Sequence, residues 1–288
     1  SSTVNGARAL TLTAGTGNIT FTGIVGGSTP LLLSTIASAG TAKNVAAFSS
    51  AGLDWTATVE IQTDALVTST ATVDLTAALI DVNAGITAAG QLVDLNAGAN
   101  GLTVNGGAIT TTGAAEANGG VIDIDSSGGA VIISSNLVAS GGAETGANAG
   151  QAGGAVTIDI NAGAGVITFA TGADITTSGT AAGGGDTDGG AAGLVTLNTN
   201  NAAITLTDTT ITAVGGALAG GGAQGVGGAV TLSDPVTLAT GTVVITTGAT
   251  AGLILSARAG PTAPSPRRGC RCSRCRTLRV SRRSSMAV

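Results

Sequence analysis

Short runs of alternating apolar and polar residues fill most of this chain. The pattern opens with Leu10 and Leu12, then a Gly-containing turn, then Ile19 and Phe21. From Val59 onward, apolar residues recur every six to nine positions, with Gly, Asn or Ala between them. Alternation with a period of two is typical of short strands that bury one face. The pattern therefore predicts an all-β chain.

One stretch, Ala37 to Trp55, is the least periodic part of the pattern. It contains Lys43, Phe48 and the single tryptophan. We interpret it as an irregular coil or lateral loop, with Trp55 packed inside that loop and not exposed as a platform for a sugar ring.

A short motif occurs three times, as IDVNAG from Ile80, VDLNAG from Val93 and IDINAG from Ile158. Its hydrophobic residues should point inward and the Asp between them outward. Asn and Gly tolerate the left-handed backbone of a sharp corner. We therefore predict comparable corners, with stacked amides, at the asparagines Asn83, Asn96 and Asn161.

The second half of the chain is an explicit long repeat. Its aligned inward positions, separated by 34, 39 and 35 residues, are Ile122, Val156, Val195 and Val230. A second apolar residue follows each of them, at Leu137, Ile175, Ile211 and Ile245. Gly-rich segments separate the units. The threonines that follow three of the inward positions, Thr157, Thr196 and Thr231, are expected to form an outward ladder. Periods of 20–50 residues indicate a solenoid, a propeller or an array.

The amino-acid composition distinguishes between these architectures. Aromatic residues make up 1% of the chain, too few for the blades of a propeller. The Thr, Gly and Val content disfavours helical repeats. We therefore predict a single-stranded parallel β-helix (β-solenoid), right-handed, with Gly-rich lateral loops. Its body spans residues 1–257 and contains roughly 8–10 coils stacked about 4.8 Å apart.

Charge divides the chain at residue 258. Sixteen acids and two basic residues, Arg8 and Lys43, give the body a net charge of −14, whereas the last 31 residues hold nine Arg and no acid. We predict that residues 258–288 are a disordered basic tail or an out-of-frame translation. Its three cysteines, Cys270, Cys272 and Cys275, cannot complete a tetrahedral zinc site without His or a fourth Cys. The acidic body is not expected to bind nucleic acid.

A cysteine-free, acidic, Thr-rich body is typical of an extracellular or cell-surface protein of bacteria. The sequence has no stretch approaching the 18 or so apolar residues of a membrane span. It also has no recognisable signal peptide. We therefore expect a fragment of a longer exported chain.

Candidate chemistry is sparse. Asp186 and Asp188, in the string GGGDTDGG, resemble half of a calcium-binding turn, but the tandem GGxGxD spacing is missing. Asp123 and Asp125 would share one strand face, which favours an exterior ladder over a catalytic pair. The body has no His, and no base with a matching acid can be paired by spacing. We therefore predict no catalytic residues and no cofactor.

The segment LTAGTGNITFTG, the three NAG motifs and the GGAVTI and GGAVTL repeats resemble the repeat regions of large bacterial surface adhesins. These are filamentous-haemagglutinin-like and autotransporter-like proteins. The resemblance implies a non-catalytic stalk or adhesive rod, a segment of a large repetitive surface protein. We expect end-to-end self-association into fibres, since an uncapped solenoid exposes strand edges, or binding to glycans or proteins of host or neighbouring cells. The alternatives are a carbohydrate-acting β-helix enzyme and a solenoid that binds ice or depends on calcium. The uneven repeat periods argue against a regular ice-binding lattice.

Overall fold

A computed structural model describes residues 3–248 and 251–255, together with the backbone of residues 278–282. Within these ranges the chain is all-β and has no helix. The strands, in chain order, are β1 (Ala9–Thr13), β2 (Ile19–Phe21), β3 (Leu33–Ser38), β4 (Thr41–Asn44), β5 (Phe48–Ser50), β6 (Leu53–Thr56), β7 (Glu60–Thr63), β8 (Val67–Ser69), β9 (Val73–Val82), β10 (Ile86–Ala88), β11 (Val93–Val104), β12 (Ile109–Thr110), β13 (Ile122–Ser126), β14 (Val131–Ile133), β15 (Leu137–Val138), β16 (Val156–Ile160), β17 (Ile167–Phe169), β18 (Ile175–Thr176), β19 (Val195–Asn198), β20 (Ile204–Leu206), β21 (Thr210–Ala213), β22 (Val230–Leu232), β23 (Val236–Leu238), β24 (Val243–Thr247), β25 (Leu253–Leu255) and β26 (Leu278–Arg282).

The strands form three parallel ladders, which the chain visits in a fixed cyclic order. The first ladder contains ten strands: β1, β3, β6, β9, β11, β13, β16, β19, β22 and β25. The second contains β2, β4, β7, β9, β11, β14, β17, β20 and β23. The third contains β5, β8, β10, β12, β15, β18, β21, β24 and β26. One passage through the ladders is called a coil below, and this architecture fits a β-solenoid.

Register along the ladders places equivalent residues in files. All four aligned residues of the long repeat, from Ile122 to Val230, are buried in the first ladder and paired in register. The second set, from Leu137 to Ile245, is buried in the third ladder. The predicted outward file of Thr157, Thr196 and Thr231 is confirmed, because these residues also pair in register. Burial of such aliphatic files contributes about 1.5–3 kcal/mol per side chain.

The prediction of an irregular loop over Ala37 to Trp55 is wrong. This stretch contains β4, β5 and most of β6, all paired in the ladders. Trp55 is fully buried in β6, and its Nε1 donates to Ser34 Oγ at 3.0 Å. The apolar alternation is hidden because polar residues take interior positions here: Asn44 is 0% exposed and Ser50 is 1% exposed.

The three NAG motifs do not occupy comparable corners, and the predicted stack of asparagine amides is wrong. Asn83 follows the half of β9 that belongs to the second ladder, whereas Asn96 lies in the first ladder, paired with Thr76 and Asp125. Asn161 follows β16. The early coils are short enough for one long strand to serve two ladders, so similar sequences fall on different faces.

Gly-rich segments connect the third ladder to the first ladder of the next coil. We call residues 111–121, 139–155, 177–194 and 213–229 the four Gly-rich connections. In each connection a backbone hydrogen bond joins the beginning of the segment to its end, such as that from Gly193 N–H to Thr177 O at 2.7 Å. Each also bonds to its neighbour, for example through Gly153 N–H and Ala191 O at 2.8 Å. Glycine is required where the backbones meet, since a Cβ on Gly193 would lie 1.9 Å from the carbonyl oxygen of Gly154.

Most of the predicted basic tail, including Cys270, Cys272 and Cys275, lies outside the described residues. Its described part is β26, whose backbone pairs in parallel with β24.

Candidate functional site

Aspartates line the outward face of the first ladder. Four of them, Asp54, Asp74, Asp94 and Asp123, pair in register on successive coils. Successive positions in a ladder are about 4.8 Å apart. We call these four residues the acidic file. The exterior ladder predicted for Asp123 is therefore confirmed, and the file continues into Thr157 of the next coil.

A second outward file runs beside the acidic file, two residues further along each strand. It consists of Thr76, Asn96, Asp125 and Asp159. The amide of Asn96 donates to Asp94 Oδ1 at 2.8 Å. In this file Asp125 is followed by a second aspartate, Asp159, whereas Asp123 is followed by a threonine.

Three carboxylates of the acidic file have raised pKa values. Partial burial is the main cause for Asp74, Asp94 and Asp123, and repulsion by the neighbouring aspartates adds to it. The neighbouring charges that raise these pKa values are those of Asp54, Asp94, Asp125 and Asp159. All are negative, so the face carries uncompensated charge.

We expect the thermal stability of the chain to rise as pH falls from about 7 to about 4. A raised pKa in the folded state means that folding favours the protonated carboxyl. The stabilisation is complete below the unfolded pKa of about 3.9 and is lost as pH rises through the folded value. The pKa values of Asp64 and Glu144 are lowered, so their opposing contribution is lost only in more acidic solution. Melting temperatures measured across this range test the expectation.

The triple variant Asp74→Asn, Asp94→Asn and Asp123→Asn should melt higher than the parent at pH 7 and respond less to pH. Glu60→Gln, in the second ladder, is the matched control and should leave the pH response intact. A parent chain whose melting temperature falls steadily between pH 7 and pH 4 would contradict this assignment.

A groove of about 460 Å³ lies at the bend between the first and second ladders. Small residues line much of it: Ala57, Ala77, Ala78, Ala97 and Gly98. Polar side chains line the rest: Thr76, Asn96, Asp125, Ser127 and Asn161. Asn161 donates its amide to Asp125 Oδ1 at 3.0 Å. The groove can therefore supply hydroxyl, amide and carboxylate groups to a ligand.

Lys43 is distant from this groove. Lys43 lies on the second ladder. It forms an ion pair with Asp64, in which Lys43 Nζ lies 2.6 Å from Asp64 Oδ2. This ion pair is the largest cause of the lowered pKa of Asp64. Asp125 lies four coils further along the rod, at a distance of about 19 Å. Lys43 and Asp125 are therefore too far apart to act on one substrate bond.

Asp186 and Asp188, the predicted calcium candidates, accept hydrogen bonds from the backbone of the next Gly-rich connection. Asp186 Oδ1 accepts from the backbone N–H of Gly221 at 2.6 Å, and Asp188 Oδ1 accepts from that of Ala223 at 2.6 Å. In the described ranges, no group of three or more acidic side chains is arranged to hold a metal ion. These contacts give both carboxylates a structural role that needs no cation.

Other aspartates connect neighbouring coils in the same way. Asp174 accepts from the N–H of Thr210, and Asp208 from that of Thr242. Sequence reasoning missed these connectors. Their spacing could have identified them. Each of these aspartates lies one repeat, 34–36 residues, before the residue that donates its N–H.

Asp234 is the most buried connector, at 6% exposure. It accepts from the backbone N–H groups of Thr199 at 2.6 Å and Asn201 at 3.0 Å. Asp234→Ala is expected to lower the free energy of unfolding by about 1–3 kcal/mol, because it leaves these donors without their carboxylate. Chemical denaturation followed by circular dichroism measures the change. Asp188→Ala, at an exposed position, should cost less, and equal losses would contradict a role for burial.

The aromatic side chains lie away from the groove. Phe21, Phe48 and Trp55 form a cluster with ring centroids 5.0–5.6 Å apart. Phe169 is fully buried. The prediction that Trp55 is packed and not a sugar platform is confirmed, although it packs in a regular coil.

No family model matches the chain, and neither the curated proteins nor the solved structures include a match. Among the residues that the structure describes, no helical segment has the length and apolar character needed to cross a membrane.

Proposed function

We propose that this chain is a non-catalytic structural and adhesive rod, exported to the cell surface as a segment of a large repetitive protein similar to bacterial adhesins. The observation that carries the proposal is the in-register stacking of the first ladder over ten strands. At about 4.8 Å per coil, this ladder extends about 43 Å. Nearly all the described chain is used to build the rod.

The proposed architecture is a right-handed parallel β-helix with the Gly-rich connections as lateral loops. A parallel strand connection is right-handed in about 98% of cases, because strand twist favours that hand. The bonds between neighbouring connections support their stacking as an ordered layer along one side of the rod.

The use of ionisable groups supports a role without catalysis. Asp174, Asp186, Asp188 and Asp208 each accept a backbone N–H from the following coil, and Asp234 accepts two from the preceding coil. These carboxylates stabilise stacking. The partners we propose are other copies of the chain, joined end to end because a parallel ladder can add a strand at its edge, and glycans or proteins of neighbouring cells.

The test combines adhesion with a search for turnover. Beads coated with the full chain should adhere to cells or to extracellular matrix, and electron microscopy of concentrated protein should show rods that join end to end. Incubation with a panel of polysaccharides should release no new reducing ends. Release of product that is abolished by Asp125→Asn would overturn the proposal in favour of a carbohydrate-acting enzyme.

A second candidate function, ice binding, is favoured by the third ladder. Its outward file is Ser49, Thr68, Thr87, Thr110, Val138, Thr176, Thr212 and Thr246, all in register. Its described strands from β5 to β24 contain no charged residue. The uneven repeat periods do not disturb this file, because most of the extra residues of the longest unit lie in the turns before β17 and β18. The file therefore stays in register along the third ladder although the repeat periods are uneven.

Thermal hysteresis of the full chain tests this candidate. Thr176→Glu with Thr212→Glu should abolish any hysteresis, whereas Thr168→Glu with Thr205→Glu, on the second ladder, should preserve it. Absence of hysteresis in the parent chain would reject ice binding.

A further inference from the structure

The groove between the first and second ladders is elongated along the rod. Its lining residues come from five successive coils, from Ala57 in the third coil to Asn161 after β16 in the seventh. Four steps between coils span about 19 Å. Its volume of about 460 Å³ lies within the range of ligand-binding pockets, about 300–1,000 Å³. A long, narrow groove of this kind fits a linear ligand better than a compact one.

The floor of the groove depends on small side chains. Ala57, Ala77 and Ala97 stack at equivalent positions, with exposures of 4%, 5% and 6%. Gly98 is confined by packing, because a Cβ there would lie 2.8 Å from the Cα of Ala78. These three alanines belong to the hydrophobic core, so the groove offers a ligand mainly its polar side chains.

The polar side chains present both donors and acceptors at successive coils. Thr76 and Ser127 carry hydroxyls that donate and accept, and the amides of Asn96 and Asn161 do the same. Asp125 accepts only. A sugar hydroxyl also donates and accepts, so it can pair with any of these groups. Resting on the adhesive role proposed above, we propose that this groove binds a linear, neutral glycan along the rod axis.

Charge restricts the class of glycan. Asp125 lines the groove, and Asp94 and Asp123 lie on the adjacent file. Among the residues that the structure describes, no Lys or Arg lines the groove. A glycan that carries carboxylates or sulfates would meet repulsion from these aspartates, with nothing to offset it. This charge disfavours uronate-containing polymers and favours neutral ones.

The test uses the full chain and defined hexasaccharides. Cellohexaose, maltohexaose, mannohexaose and chitohexaose are the neutral probes, and hexagalacturonate is the anionic probe. Isothermal calorimetry should detect binding of at least one neutral hexasaccharide and none of hexagalacturonate. Ser127→Trp, which places a large ring at the groove, should weaken binding at least tenfold. Ser134→Trp, at an exposed site beyond β14 in the same coil, should leave binding unchanged.

Asn161→Ala provides an independent variant at an exposed position and should weaken binding several-fold even if Ser127→Trp fails to fold. Absence of binding to every neutral probe, equal binding of hexagalacturonate, or binding that both variants leave intact would overturn the inference. If the beads adhere and rods form while no glycan binds, the groove assignment fails and the rod function stands. If the chain neither adheres nor forms rods, the proposed function itself fails.

Discussion

Replacing Trp55 by Ala is expected to lower the free energy of unfolding by about 3–5 kcal/mol, the usual cost of removing a buried aromatic ring. Trp55 is fully buried, and its ring lies 5.0 Å from that of Phe48 and 5.6 Å from that of Phe21. The substitution would leave a cavity where three coils meet and would leave Ser34 Oγ without its indole donor. Denaturant titration followed by far-ultraviolet circular dichroism measures the loss.

The matched control for this substitution is Thr56→Ala, at the next, exposed position of β6. It should change stability by less than about 0.5 kcal/mol, as is usual for surface substitutions. A loss below about 1 kcal/mol for Trp55→Ala would mean that the aromatic cluster does not support the first coils of the rod.

Replacing Gly193 by Ala is expected to destabilise the chain by about 3 kcal/mol, at the upper end of the usual cost of overpacking. The added Cβ would lie 1.9 Å from the carbonyl oxygen of Gly154, a backbone atom that no side-chain rotation can move away. The same close approach recurs along the rod at Gly154 and Gly228. Thermal melting and hydrogen exchange of residues 177–194 would report the damage.

Gly252→Ala is the control for this substitution, because a Cβ at that position meets nothing within 4 Å. It should leave the melting temperature nearly unchanged. If Gly193→Ala were equally neutral, the Gly-rich connections would not stack as closely as described.

The long repeat was predictable because residues that align between repeats in the sequence also pair with each other in the ladders. Val156, Val195 and Val230 align in sequence, and the same alignment brings them into one file of the first ladder. The earlier coils were harder to interpret. Interior positions there hold polar residues, and their hydrogen bonds, such as that from Ser50 Oγ to Gly52 O at 2.7 Å, depend on the fold. A hydrophobic pattern cannot identify a buried hydroxyl that donates its hydrogen bond to a backbone carbonyl.

The candidate site was less predictable than the fold. The acidic file joins aspartates that are 20–29 residues apart, a spacing that follows from coil lengths. The groove likewise collects Thr76, Asn96 and Asn161 from different coils. The members of the acidic file and of the groove can be identified only when the register of strand pairing is known. Asp186 and Asp188 were singled out for their spacing, but their contacts are to the next connection.

A stacked rod requires that successive coils add a fixed rise along a single axis. Pulsed electron paramagnetic resonance tests it directly on the intact chain, with Cys270, Cys272 and Cys275 replaced by Ser and spin labels placed on the third ladder. One label replaces Thr246, and the second replaces Thr110 or Thr68, which lie four and six coils away. We predict separations of about 19 Å and about 29 Å, which correspond to about 4.8 Å per coil. Separations that do not increase with the number of coils would contradict the stacked rod.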